Sequence, residues 1–417
     1  MEDYQMKKSL RDIPFKVIDG KLNVLHELLT SLEGCPESVI ELDCRSNLLT
    51  SFEGCSKNVK KLNCCHSLLT SLEGCPEGVI ELDCSFSRIT SLEGCPVGVK
   101  TLICRNCQLT SLKGCPEGVK TLICRNNQLI SFDGCPVGVI KLDCSFNKLT
   151  SLEGCPEGVK ELICRNCQLT SFDGCPVGVI ILNYSKNQLT SLDGCPEGVK
   201  ELICCYCQLT SFEGCPVGVI TLDCTRNQLT SLTGCPEGVK ELHCWWNKLT
   251  SLEGCPESVI ELGCGWNPIT SIEKCLENVI NLYCNGTQIT SIEGCPKNVV
   301  KLICSNCCLL TSLEGCPKNV KKLKCQMNPL NSLYKNKSLK EIHAINRIKQ
   351  FKKGVNIVNN IILNHNANNI QRAWDDYWYK PNDQGESRVA KKQYIKFQLM
   401  QINQKIKMSG FGCRNRG

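Results

Sequence analysis

Thirty-seven of the 417 residues are cysteine, so thiol chemistry is the first chemistry this chain could offer. C-x-x-C pairs stand at Cys104/Cys107, Cys164/Cys167, Cys204/Cys207 and Cys304/Cys307. Each could supply two of the four ligands that a tetrahedral zinc requires. A thiol in an electropositive, partly exposed setting could act as a nucleophile. Stacked cysteines could also bridge, because adjacent strands bring Cα atoms within disulfide range. Beyond the thiols there is little. The histidines, at 26, 66, 243, 343 and 365, are scattered, and no phosphate-binding loop, H-E-x-x-H or G-x-S-x-G occurs. The residues therefore point away from an enzyme, and toward a chain without metal or cofactor.

The elements that must position these thiols follow a clock. Counted from Ser31, the unit SLEGCPESVIELDCRSNLLT recurs every twenty residues, giving fifteen full units with one residue inserted near Cys308. Unit position 9 is Val in all fifteen (Val39 to Val320), and position 12 is Leu in all fifteen (Leu42 to Leu323). Position 6 is Pro in thirteen, with Ser56 and Leu276 as the exceptions. A coil this short cannot bury its own apolar face, so the coils must stack and share one elongated core. Alternation places a strand near positions 11–15, with 12 and 14 inward and 11, 13 and 15 outward. Leu22 heads an earlier half unit, and Leu339, Ile342 and Ala344 read as a degenerate last one, for seventeen strand positions in all.

Sorted by column, the cysteines lose most of their promise as chemistry. Fifteen occupy position 5, fourteen occupy position 14 (Tyr184 is the exception), and four occupy position 17. The first two columns face inward, where free cysteine behaves as a small hydrophobe. Position 17 normally carries Asn, as in Asn47, Asn127, Asn147 and Asn187. There a thiol can stand in as a weak donor. Stacked side chains point the same way, which disfavours the near right-angled torsion of a disulfide. Cys65 and Cys205, at outward position 15, are the better candidates for a reactive thiol.

The core pattern V-x-x-L-x-C-x-x-N-x-L, as in Val139–Leu142–Cys144–Asn147–Leu149, resembles the leucine-rich repeat. The run NQLTSLDGCPEGVKEL (187–202) is similar to the short twenty-residue class of bacterial effectors, with Cys in place of Leu before Pro. It also resembles the leucine-rich-repeat proteins of giant viruses such as Mimivirus. The resemblance covers about four-fifths of the chain. It implies a horseshoe solenoid with parallel β strands on a concave face, an extended or turn-rich convex face, and a binding rather than a catalytic role. Some effectors of this class carry a cysteine ubiquitin-ligase domain. Cys413 is the sole cysteine after the repeats, and that activity is not transferred.

Function in a solenoid is read from its outward strand positions. Position 13 alternates between Asp or Asn and isoleucine (Ile103, Ile123, Ile163, Ile203). The aspartates never fall on adjacent coils and read as a solvated face. Units 231–290 depart from the pattern with HCWWN, GCGWN and YCNGT. Trp246 and Trp266 share position 16 and should stack about 5 Å apart. His243, Trp245 and Tyr283 are close by, and Tyr206 lies two coils from Trp246. Exposed tryptophan marks binding hot spots. These ten residues are the candidate contacts of an unnamed protein partner.

Charge divides the chain. Residues 331–417 carry 17 Lys and Arg against 5 Asp and Glu, whereas residues 1–330 carry 31 against 36. The expected organisation is an N-terminal cap and half repeat over 1–30, the solenoid over 31–349, and a basic, mainly helical tail over 350–417. In the tail, IQRAW (370–374) half matches a calmodulin-binding motif, and Trp374 and Trp378 suit a cap on the open end of the solenoid. The basic tail also supports a secondary reading as a nucleic-acid tether. An adaptor role in ubiquitination is a third reading, without any F-box-like segment to carry it. The absence of a secretory leader and of a long apolar run leads to an expectation of a reducing, cytoplasmic setting with no membrane partner. For a viral protein that setting is the host cytoplasm or the virion.

Overall fold

The structure is a computed structural model that describes residues 8–272, 277–364 and 399–400, with side chains described through Gly354 and at 399–400. Sixteen three-residue strands, from β1 (Lys21–Asn23) and β2 (Glu41–Asp43) to β15 (Lys301–Ile303) and β16 (Lys322–Lys324), form one parallel sheet in strict chain order. Neighbours pair position for position. Leu42 faces Leu62, and Leu302 faces Leu323 across the single inserted residue. The leucine of each strand points into the core and its two flanking residues point out.

Both tight turns of the coil are set by its most regular residues. At position 4 glycine takes positive φ, 79° at Gly54, and a Cβ there would stand 2.3 Å from the Glu33 nitrogen of the coil before. Only glycine fits such a left-handed, close-packed corner. At position 9 the valine amide closes a turn onto the position-6 carbonyl, as in Val79 N–H to Pro76 C=O at 3.1 Å. These turns, rather than helices, make up the far side of the coil, as the sequence requires.

The core is a set of ladders. Thirteen position-14 cysteines, Cys44 through Cys304, are fully buried alongside the leucines and valines. Tyr184 enters the same column by packing on Phe172, ring centroids 4.6 Å apart, and its hydroxyl donates to the Ser171 carbonyl. A second ladder closes the turn after each strand. Asn187 donates to the carbonyls of Cys164 (2.8 Å) and Tyr184 (2.7 Å), and accepts from the amides of Cys167 (2.9 Å) and Leu169 (3.1 Å).

The strand count differs from expectation by one. The segment read as a seventeenth strand begins a helix, α1 (Leu339–Asn364). Ser338 and Glu341 cap it reciprocally, the Glu341 amide donating to Ser338 Oγ and the Ser338 amide to the Glu341 carboxylate. Burial falls on Ile342 and Asn346, a helical spacing rather than an alternating one. The chain divides into two compact units, Met1–Ile342 and His343–Gly417. The IQ-like stretch, Trp374, Trp378 and Cys413 lie outside the described residues.

Candidate functional site

The thiols come first, because they were the first candidates for chemistry. No disulfide joins the thirty-five described cysteines, and among the described residues no three His, Cys, Asp or Glu side chains converge as a metal site. In each C-x-x-C pair both thiols turn into the core. Cys107 replaces the asparagine of its coil and contacts the carbonyl of Cys84 at 3.3 Å. One S–H thus does part of the work of an amide that would make four bonds. The contact with Cys84 lowers Cys107 to about 7 inside the core, whereas the outward thiols are raised. Burial, then the nearby Asp83, pushes Cys65 up to about 11, and burial with Asp223 pushes Cys205 up to about 12. Little thiolate exists at neutral pH, so the expectation of reactivity at these two residues is corrected.

The outward candidates fall into three groups rather than one. The isoleucines are half-buried on the sheet face. Only Ile103 and Ile123 are neighbours, on β5 (Thr101–Ile103) and β6 (Thr121–Ile123). Asp143 then interrupts the row before Ile163, and Asn183 interrupts it before Ile203. Asp143 is itself buried, held by the Ser145 hydroxyl at 2.7 Å and by the Arg125 guanidinium at 3.6 Å. The isoleucines form a two-residue patch and two single sites, not a continuous stripe.

His243, Trp245 and Tyr283 form the second group, around a glycine. In the outward row His243 faces Gly263, which faces Tyr283. Trp245 swings across the vacancy so that a Cβ on Gly263 would lie 2.3 Å from its Nε1, and one on Gly265 would lie 2.4 Å from its Cζ3. Its ring meets Tyr283 with centroids 6.0 Å apart. Lys301 donates to the Tyr283 hydroxyl at 2.5 Å and sits over that ring. Buried His243 Nδ1 finds no partner in this notch. Trp245 is thus half-buried packing, while His243 and Tyr283 face outward.

Tyr206, Trp246 and Trp266 make up the third group, at the edge of the coils. Every described residue at position 16 has positive φ, including Trp246 (53°) and Trp266 (55°). That left-handed corner throws the side chain off the sheet edge into solvent. Trp246 and Trp266 stack at 4.6 Å with planes 5° apart, the contact anticipated from their shared column. The Arg226 guanidinium lies between Tyr206 (4.9 Å) and Trp246 (4.6 Å), and Lys186 covers the far side of Tyr206. The rings remain 38–47% exposed. Sequence reasoning found the aromatic residues but not the arginine between them. The asparagines at 106, 126, 166 and 306, which tolerate left-handed backbone, carried the signal for this corner.

The architecture has counterparts among solved structures. YopM of Yersinia enterocolitica is 26% identical, with a TM-score of 0.60 over 73% of this chain and 70% of that one. A leucine-rich-repeat protein of Leptospira interrogans is 21% identical, with a TM-score of 0.58 over 78% and 93%. The functional domain of InlJ from Listeria monocytogenes, described as including a cysteine ladder, is 23% identical, with a TM-score of 0.51 over 71% and 69%. No protein-family model and no curated protein sequence matches the chain. Period, register and these likenesses agree on the fold, a leucine-rich-repeat solenoid similar to that of YopM.

Proposed function

We propose that this protein is a non-enzymatic scaffold that binds another protein on the outward face of its sheet, the concave face of a leucine-rich-repeat horseshoe. The carrying observation is the break in the outward rows at β12 (Glu241–His243) to β14 (Asn281–Tyr283). There glycine, histidine and tyrosine replace the repeated residues, Trp245 fills the space beside the glycines, and His243 Nδ1 is left buried without a partner. Asp223 stands beside His243 in that row, and Glu241 and Glu261 occupy the first outward position of the same strands, so the fitting partner presents a basic, partly apolar segment. Ile103 and Ile123 offer a second apolar contact six or more coils away. The giant-virus resemblance supports a virus–host or intraviral setting, in the host cytoplasm or virion. The described residues include no helix long and apolar enough to cross a membrane.

The test is affinity capture from host-cell lysate with the full chain, a Tyr283→Glu variant, an Ile123→Glu variant and a Val137→Glu control. Val137 is 79% exposed away from the sheet. A protein recovered by wild type and control but lost with either sheet variant supports the reading. Equal recovery by all four refutes it.

A further inference from the structure

The solenoid carries a charge pattern that its net charge hides. Positions 15–18 of all fifteen units contain nine Lys or Arg and six Phe, Tyr or Trp, and no Asp or Glu. The acids sit elsewhere on the coil, with thirteen of fifteen units acidic at position 3. Because position 16 is left-handed throughout, this segment stands out along one edge of the stack. The edge is a continuous line of cations, rings and amides.

Part of that line is closed. The Trp246–Trp266 stack at 4.6 Å and the His66–Phe86 stack at 4.3 Å leave no space for an inserted ring. Between Phe86 and Phe146 the line opens. The two intervening coils carry Asn106 and Asn126, which are short, and the result is a recess of about 410 Å³ lined by these four residues with Arg105 and Arg125. Three coil steps separate the phenyl rings, on the order of 14 Å. His66 covers one face of Phe86, so its other face looks into the recess. Arg125 covers Phe146 at 5.6 Å and forms the opposite wall. Asn126 donates to Asn106 across the floor, leaving amide groups for a ligand's edge. Arg105 Nε is buried without a partner, and so is Arg165 Nε. Exposed Arg88 and Lys148 flank the opening on their own coils.

We infer that this edge binds single-stranded nucleic acid, with about two unpaired bases stacked in the Phe86–Phe146 recess and the phosphate backbone running along the cations. The open face of Phe86, the amide edges and the arginines, along columns without acidic residues, are what an unpaired strand requires. A duplex hides its base faces and cannot use the recess. The inference concerns the edge rather than the sheet face, so it stands or falls apart from the protein-binding reading.

The test is fluorescence anisotropy with the full-length chain, using a labelled oligouridylate and a blunt RNA duplex of equal length across a salt series. Variants are Phe86→Ala and Arg88→Gln/Arg105→Gln, each checked for native circular dichroism. The single strand should bind more tightly than the duplex. Phe86→Ala should weaken it roughly tenfold, the scale of one lost base stack. The double arginine variant should flatten the slope of affinity against salt by about one to two phosphate contacts. Equal binding by wild type and variants would place any affinity on the basic C-terminal region and overturn the inference. Equal binding of a polyglutamate would reduce the edge to an unspecific cationic surface and overturn it too.

Discussion

Raising the pH should unfold this protein abruptly, because its core is made of acids. The thiols of position 14 are held protonated: twelve stand above the ordinary thiol value of 9.0, Cys84 and Cys144 first through contact with Cys107 and Cys167, which shift down, and the others first through burial. The folded chain therefore keeps protons that the unfolded chain releases. The stabilisation is whole below pH 9 and is lost as pH rises, since stability falls wherever the folded state binds more protons. At pH 10 each such thiol favours the unfolded chain by about 1 kcal/mol, and the column together by on the order of 10 kcal/mol. Domains are stable by roughly 5–15 kcal/mol, so unfolding should occur between about pH 9 and pH 10. Position 5 adds to the effect, with Cys55 and Cys95 each pushed up to about 12. Far-ultraviolet circular dichroism and thiolate absorbance, followed together in one titration, check this. Both should change in a single step. Replacing Cys144, Cys164, Cys204 and Cys224 by Val should recover about 4 kcal/mol at pH 10 and move the step upward. Thiolate absorbance that rises while the circular dichroism stays native to pH 11 would refute the reasoning.

Three further outcomes follow from single contacts. Asn187→Ala removes four buried hydrogen bonds to backbone groups and should cost about 3–5 kcal/mol, whereas Asn187→Cys, the solution already used at Cys107 and Cys167, should cost less; denaturant melts and hydrogen exchange at 164–169 measure both. Gly265→Ala forces a methyl to 2.4 Å from Trp245 Cζ3 and 2.6 Å from the Asn285 carbonyl, so it should destabilise by about 1–3 kcal/mol and shift tryptophan emission to the red. The Ser338 amide and hydroxyl hold the Glu341 carboxyl down to about 2, so its cap on α1 is complete above the ordinary value of 4.5 and is lost as pH falls through 2; an NMR titration of that carboxyl should show the depressed midpoint.

Much of this was legible in the sequence, because a repeat averages over its own accidents. Fifteen copies of one coil fixed the period, the inward columns and the parallel register without any single residue being decisive. Column logic also gave the Trp246–Trp266 stack, since residues one period apart must sit one strand spacing apart. What escaped were departures that depend on a neighbour. Trp245 shares its column with outward polar residues, yet it lies down because Gly263 and Gly265 vacate the next coil. Asp143 looked like a solvated acid and is buried, because Ser145 and Arg125 reach it. Leu339 and Ile342 kept a trace of the strand spacing, but Ser338 and Glu341 start a helix there. The acid-free edge was written in four columns. It becomes meaningful only when the left-handed corner at position 16 shows that those columns protrude.

The account rests on one division of labour: inward thiols pack, and outward residues do the binding. Differential alkylation with mass spectrometry tests it directly, on the native chain and again after denaturation. The account predicts the mass of a fully reduced, metal-free chain. Exposed Cys308 should be modified first, and the position-14 column should stay unreacted until the protein unfolds. A native mass carrying zinc, fixed disulfide pairs along a column, or column thiols that react as fast as Cys308 would contradict it.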